Sequence, residues 1–196
     1  MPFIFKRLAL FMSIAAAFAA DKEDAVFRPP PAASFAHKQT NSGLTVAAEL
    51  YISGEKLKPA FGKLVPYRYG VLPVLVAMQN DSDSTIRLDR LRVEYVGSNG
   101  DRVLATPAKD VRYAIAPRRP TVAPEPIHLP SKKNPLNVWE IEGRAFAAQM
   151  LPAGQPAFGF FYFETDWQPG STVYLTGFSN ARTGRELVFF EIPLAQ

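Results

Sequence analysis

Residues 71–78 read Val-Leu-Pro-Val-Leu-Val-Ala-Met, and the fold turns on them. The stretch carries no charge, and its apolar side chains fall at both parities, so a strand here has no face to offer to water. It must be covered on both sides, unlike the half-solvated strand of a simple antiparallel sheet. Pro73 adds a constraint, because a residue without an N–H belongs on an edge or at a bulge.

Working outward, the same period of two recurs. Before it, Leu44, Val46, Ala48 and Leu50 share one parity. After it, Asn80-Asp81-Ser82-Asp83-Ser84 is a turn by composition, followed by alternating Ile86, Leu88, Leu91, Val93 and Tyr95. Residues 98–101 (Ser-Asn-Gly-Asp) suit a hairpin turn before residues 102–105. Residues 158–163 (Phe-Gly-Phe-Phe-Tyr-Phe) are aromatic on both faces. Residues 172–178 and 186–194 close the series, joined through Asn180 to Gly184. These spacings predict a mainly β chain: an immunoglobulin-like antiparallel β-sandwich of seven to eight strands.

If Phe158, Phe160 and Tyr162 face the core, Phe161 and Phe163 need a lid, since burying one Phe contributes about 1.5–3 kcal/mol. One helix over about 134–150 is the expected lid. Asn134 and Pro135 supply a cap and a first turn, and Leu136, Trp139, Gly143, Phe146 and Met150 recur at helical spacing. The competing reading is a short strand over 138–142; the helical spacing is preferred.

The chain has 196 residues, 47% hydrophobic and 12% aromatic, with 18 prolines and no cysteine. That is enough apolar material for one domain with a full core, and too much for a disordered chain. Without cysteine there is no disulfide, thiolate nucleophile, cysteine-zinc site or lipid-anchored cysteine. Residues 1–19 read as a signal peptide: Lys6 and Arg7 precede an apolar run that ends in Ala17-Phe18-Ala19, too short to span a bilayer. The expected location is therefore periplasmic or extracellular, with no transmembrane segment after cleavage. Losing those two cations lowers the net charge from +4 to +2, which gives no general electrostatic case for binding nucleic acid. Residues 20–40, around Pro29-Pro30-Pro31, read as an extended arm. Residues 41–196 form the single sandwich domain, interrupted at about 116–135 by an insertion with six prolines.

Three passages resemble uncharacterised exported bacterial proteins with a single immunoglobulin-like β-sandwich domain. They are residues 67–80 with the Asp-Ser-Asp that follows, residues 156–163, and residues 174–180 with the closing Phe-Phe-Glu-Ile-Pro of 189–193. The resemblance spans about 40–194 and implies the sandwich. It carries no catalytic residue across.

Chemistry-bearing patterns are sparse. His37 falls in the arm and His128 in the insertion, neither beside a nucleophile elbow, and no Gly-x-Ser-x-Gly occurs. Asp81 and Asp83 would supply oxygens to a calcium loop, although turn chemistry explains the same residues. Glu140 with Glu142, and Glu164 with Asp166, are the close carboxylate pairs. Residues 109–133 carry net +4 against −3 for residues 134–196. This asymmetry would steer an anionic partner, while solvated loop charge is its ordinary explanation.

The expected function is a non-catalytic exported binding or structural module that contacts a protein or an envelope polymer, with no cofactor or metal. Its weakly marked partner surface is Arg118, Arg119, His128, Lys132 and Lys133. The alternative is an exported hydrolase with an atypical site using His128 or paired carboxylates. A third reading has the strand at 158–163, or the closing strand, pairing with another chain.

Overall fold

The computed structural model describes residues 27–114 and 134–195. The leader over 1–19, the start of the arm and nearly all of the 116–135 insertion lie outside the described residues. So do Arg118, Arg119, His128, Lys132 and Lys133.

In chain order the elements are β1 (Lys38–Asn41), β2 (Leu44–Leu50), α1 (Gly54–Phe61), β3 (Leu72–Asn80), β4 (Ile86–Arg87), β5 (Arg92–Val96) and β6 (Arg102–Leu104). There follow α2 (Ala108–Val111), α3 (Trp139–Gly143), β7 (Met150–Leu151), β8 (Pro156–Phe163), β9 (Thr172–Thr176), β10 (Ser179–Asn180) and β11 (Phe190–Pro193). Eight of these strands build two sheets, in the orders β1-β2-β3-β8 and β11-β9-β5-β6. Every pairing between them is antiparallel. Two-residue strands form a third, small sheet, β10-β4-β7. The chain passes from the first large sheet to the second between β3 and β5, returns before β8, and crosses again before β9. This is the antiparallel sandwich that the alternation predicts, with immunoglobulin-like crossings.

The doubly apolar strand sits where its composition demands. β3 is central in its sheet, between β2 and β8. Its even-numbered residues Leu72, Val74, Val76 and Met78 join Leu44, Val46, Ala48 and Leu50 in the core between the sheets, facing Val93, Tyr95, Val173, Leu175 and Ile192. Its odd residues Leu75 and Ala77 point the other way, into a second core with Phe160 and Tyr162. Leu57, Ala60 and Phe61 of α1, Val111 of α2 and Ile141 of α3 cover that outer face. The molecule thus has three layers, with β2, β3 and β8 in the middle.

Several expectations change here. The parity of residues 158–163 is the reverse of that supposed: Phe161 and Phe163 face the inter-sheet core, while Phe160 and Tyr162 need the lid. Phe158 lies past the lid and is 43% exposed. Pro73 is on neither an edge nor a bulge. It is the second residue of β3, and its carbonyl accepts the Tyr51 N–H at 3.1 Å just beyond the end of β2. Its missing donor therefore falls at the last rung between β2 and β3, which keeps only the bond that Pro73 accepts. The described part of the arm does not stand free: Ala32 and Phe35 are buried on the outer face, and β1 pairs with β2.

The lid differs most. The helix expected over 134–150 contracts to α3, and the supposed face dissolves, with Leu136 buried but Trp139 and Met150 exposed. The reason is the edge of β8. Phe160 donates its N–H to the Arg144 carbonyl at 2.9 Å and accepts the Phe146 N–H at 3.1 Å. Satisfying this strand edge competes with continuing the helix, and the edge wins. Gly159 makes the approach possible, since a Cβ there would overlap the Phe146 backbone. Asn134 likewise serves another end: its Nδ2 donates to the Arg112 carbonyl at 2.6 Å and its Oδ1 accepts the Leu136 N–H at 2.9 Å. The longest lid element is α1, to which the strand periodicity assigns nothing.

Two outcomes follow. Gly159→Ala must push the 145–146 backbone off β8 and should lower stability by about 1–3 kcal/mol, read as a shift in the urea midpoint. Tyr162 is buried, its hydroxyl donating to the Ile141 carbonyl at 2.8 Å, and burial drives its pKa strongly up. Burial, with the Glu49 charge adding to it, pushes Tyr51 up to about 12. Both raised values lie above the ordinary tyrosine value of about 10, so the unfolded chain ionises first. Stability should hold below about pH 10 and fall as pH climbs toward 12. Absorbance at 295 nm should show these two of the seven tyrosines lagging, then ionising together with loss of the circular-dichroism signal.

Candidate functional site

The two long sides of the sandwich are not alike. On one, β1 lies against β11, and the Gln39 side chain accepts the Glu191 N–H at 3.0 Å. Pro193 further blunts that edge. On the other side the outermost strands are β6 and β8, and the sheets diverge. Ala105 and Thr106 cross the gap, the Thr106 N–H reaching the Tyr162 carbonyl at 2.7 Å.

The divergence leaves a cleft of about 400 Å³ whose apolar walls include Leu91, Val93, Ala105, Phe146 and Phe161. Phe146 and Phe161 stack at its base with ring centroids 5.2 Å apart and planes at 22°. Leu104, 52% exposed, forms its lip. An adjoining recess reaches Asp110, Tyr113 and Glu164. Its lining is mostly apolar, with Arg92 and Thr106 among the few polar residues that border it.

β6 forms one rim, and its backbone is half used. Ala105 donates to Val93 at 3.0 Å and Gly97 to Asp101 at 2.8 Å, which sets the ladder phase with residues 101, 103 and 105 turned toward β5. Arg102 and Leu104 therefore turn their N–H and C=O groups away from the sheet. Beside them, Glu94 binds Arg92 at 2.8 Å and Arg102 at 2.9 Å. The hydrogen bond from Arg92, joined by that from Arg102, holds its carboxyl below the usual glutamate range against the opposing effect of burial. The Arg102 guanidinium also lies 4.9 Å from the centre of the Tyr174 ring.

A second cleft of about 380 Å³ has a mixed lining, with Ser82, Asp83, Arg185 and Glu186 beside Ile86, Leu187 and Val188. Fully buried Asn80 organises the loop beside it. Its Nδ2 donates to the carbonyls of Ser84 at 2.8 Å and Leu151 at 2.9 Å, while its Oδ1 accepts from Ser82 Oγ at 2.6 Å. Asp81 accepts from Gln79, and Asp83 from Ser84 Oγ. The five-residue cluster is thus engaged in turn chemistry. Among the described residues no three His, Asp or Glu side chains are grouped to hold a metal ion.

The proposed carboxylate pairs are not brought together in a cleft. Glu140 and Glu142 line neither cleft. β8 ends at Phe163, before Glu164 and Asp166. Glu164 accepts from Thr106 Oγ1 at 3.2 Å, and Asp166 accepts the Tyr95 hydroxyl through its backbone carbonyl. Nor do the two tryptophans share a surface role. Trp167 is half-buried, donating to the Leu194 carbonyl, whereas Trp139 is exposed, lies across Gly143 and stacks with Arg144 at 5.5 Å. Sequence reading did not single out Ala105, Phe146 and Phe161 as cleft walls. Its usable signal was the excess of aromatic residues at 158–163 over what one core face can hold.

No protein-family model matches the chain, and no curated protein sequence matches it significantly. Two solved structures are similar in chain trace. The YjhA protein from Bacillus subtilis aligns with a TM-score of 0.42 at 10% identity, over 81% of this chain and 96% of that one. YcdA from Bacillus subtilis aligns with a TM-score of 0.38 at 12% identity, over 80% of this chain and 38% of that one.

Asn80→Ala would take one donor from each of the Ser84 and Leu151 carbonyls and would remove the acceptor that holds the Ser82 hydroxyl. It should lower stability by about 2–3 kcal/mol, measured by thermal unfolding, and should loosen the 80–84 loop ahead of the sheets in amide exchange.

Proposed function

We propose that this protein is an exported, non-catalytic binding module, and that the cleft between β6 and β8 is where it takes its partner. One observation carries the reading: the described residues fill the interior and the lid to near-complete burial, yet among themselves leave a mostly apolar cleft along one side, lined in part by the stacked rings of Phe146 and Phe161. Open apolar concavities of this kind gain their stabilisation from what enters them. Export rests on the leader pattern of residues 1–19, and a protein or envelope polymer is the partner class that location offers.

The decisive variant is Ala105→Trp, which fills the cleft from a wall residue. The fold should survive, with an unchanged circular-dichroism spectrum. Retention of partners from envelope extract should fall about tenfold, as expected when a central apolar pocket is lost. Deleting residues 118–131 should leave that retention intact. If the deletion abolishes it and Ala105→Trp does not, the basic insertion is the binding surface instead. Expressed from the full chain, the exported form should have the mass of a protein beginning at Ala20.

A further inference from the structure

Trp139 is the most exposed large apolar side chain among the described residues, at 69%, and yet its ring has a place made for it. The indole lies on Gly143, one turn along α3, where an added Cβ would overlap the ring carbons. Gly143 has no positive φ, so the backbone does not require glycine there, and glycine weakens a helix relative to alanine. What its missing Cβ supplies is room for the ring.

Arg144 holds the same ring from beside it. Its guanidinium is 5.5 Å from the indole centre and 5.6 Å from that of Phe27. Among the described residues it forms no ion pair, and its Nε is buried with no hydrogen-bond partner. The two rings are what it engages. With so much of Trp139 exposed, one face of the indole remains open to water. A ligand that stacks on a ring already held in place loses little side-chain freedom.

The surroundings narrow the occupant. Asn137 and Glu142, both exposed, and half-buried Glu140 are polar neighbours, whereas an aromatic anchor for a protein partner sits within a rim of contacts that keeps water out. Charges of both signs adjoin it: Glu140 and Glu142 on α3, Arg144 at its end, Arg28 next to Phe27, and Lys109, Asp110 and Arg112 on and just after α2, which packs against α3. No single-sign field steers a polyanion or an anionic lipid surface here. Arg144 already engages the π density of the ring, which disfavours a second cation. A neutral pyranose with equatorial hydroxyls meets all these conditions. Its axial C–H groups, slightly positive, suit the negative face of the ring, and its hydroxyls match the amide and carboxylates of Asn137, Glu140 and Glu142.

We propose that Trp139, seated on Gly143, is a stacking platform for a neutral glycan of gluco-configured pyranose rings. Trp139 is not among the residues that line the cleft between β6 and β8, so this is a second contact, beyond the one proposed above.

The test uses the full chain, with cellohexaose and chitohexaose as probes. The chain has two tryptophans, hence two indole N–H signals, and the signal lost in Trp139→Ala assigns the platform. At least one of the two sugars should shift that signal while the Trp167 signal stays in place. Trp139→Ala should weaken binding by about tenfold or more, read by calorimetry, and Trp139→Tyr should retain most of it. Gly143→Ala is the sharper variant: stability should hold or rise, while the ring is pushed from its place and binding falls severalfold. Ala105→Trp, which fills the cleft, should leave sugar binding unchanged, so the two sites fail separately. If neither sugar shifts the Trp139 signal up to about 10 mM, the proposal is overturned. A response confined to phosphatidylglycerol vesicles, or to a polygalacturonate hexamer, overturns it in favour of an anionic contact. Sugar binding that Gly143→Ala leaves intact overturns the prepared platform, since the indole would then need no seat.

Discussion

The middle sheet has no wet face. β2, β3 and β8 carry large apolar side chains on both sides, and every other layer exists to keep water from one of them. The second sheet covers the inner face with Val93, Tyr95, Val173, Leu175 and Ile192. The outer face is covered piecemeal by short helices, the end of the arm and the turn around Leu136. Individual helices of four to eight residues have little stability of their own, so the lid holds because the sheet beneath it is already apolar. Phe160 shows the dependence well: its ring meets Tyr51, Phe61 and Phe27 within 6 Å, three segments far apart in sequence.

The same constraint explains the open side. Pairing a strand edge and lidding a face are separate requirements, and the 144–146 segment serves the first on behalf of β8. By leaving its helix to do so it carries Phe146 onto Phe161 and gives the cleft its base. The cleft is thus a by-product of how the edge is satisfied. Its walls include Val93, Phe160 and Tyr162, which also belong to the two buried cores, so the cleft reaches both layers.

Much of this was written plainly in the chain. The alternation at Leu44 to Leu50 and the double-sided apolar run at 71–78 mark the middle sheet, because strand period survives any tertiary context that buries it. The hairpin at residues 98–101 was legible from its Gly and Asn residues, and Gly100 indeed takes a positive φ of 87°. The lid was not legible. Leu57, Ala60 and Phe61 have helical spacing, but Pro59 between them reads as a breaker. Leu136, Trp139, Phe146 and Met150 have helical spacing too, and yet long-range hydrogen bonds to β8 override it. The parity of 158–163 could not be fixed locally either, since both faces are aromatic. Only the register Val74 to Phe161 settles which ring goes inward. The cleft was hidden for the same reason, being assembled from two separated stretches of chain, residues 91–108 and 145–162.

The clasp between Asn134 and the Arg112 carbonyl has a consequence for how this chain can vary. It fixes, on the fold side, the two points from which the residues between them depart and return. Once the mouth of a loop is held, lengthening the loop costs only about 0.6 kcal/mol per doubling. A change of chain length between Ala114 and Asn134 therefore adds little to the cost of holding Asn134 against the Arg112 carbonyl.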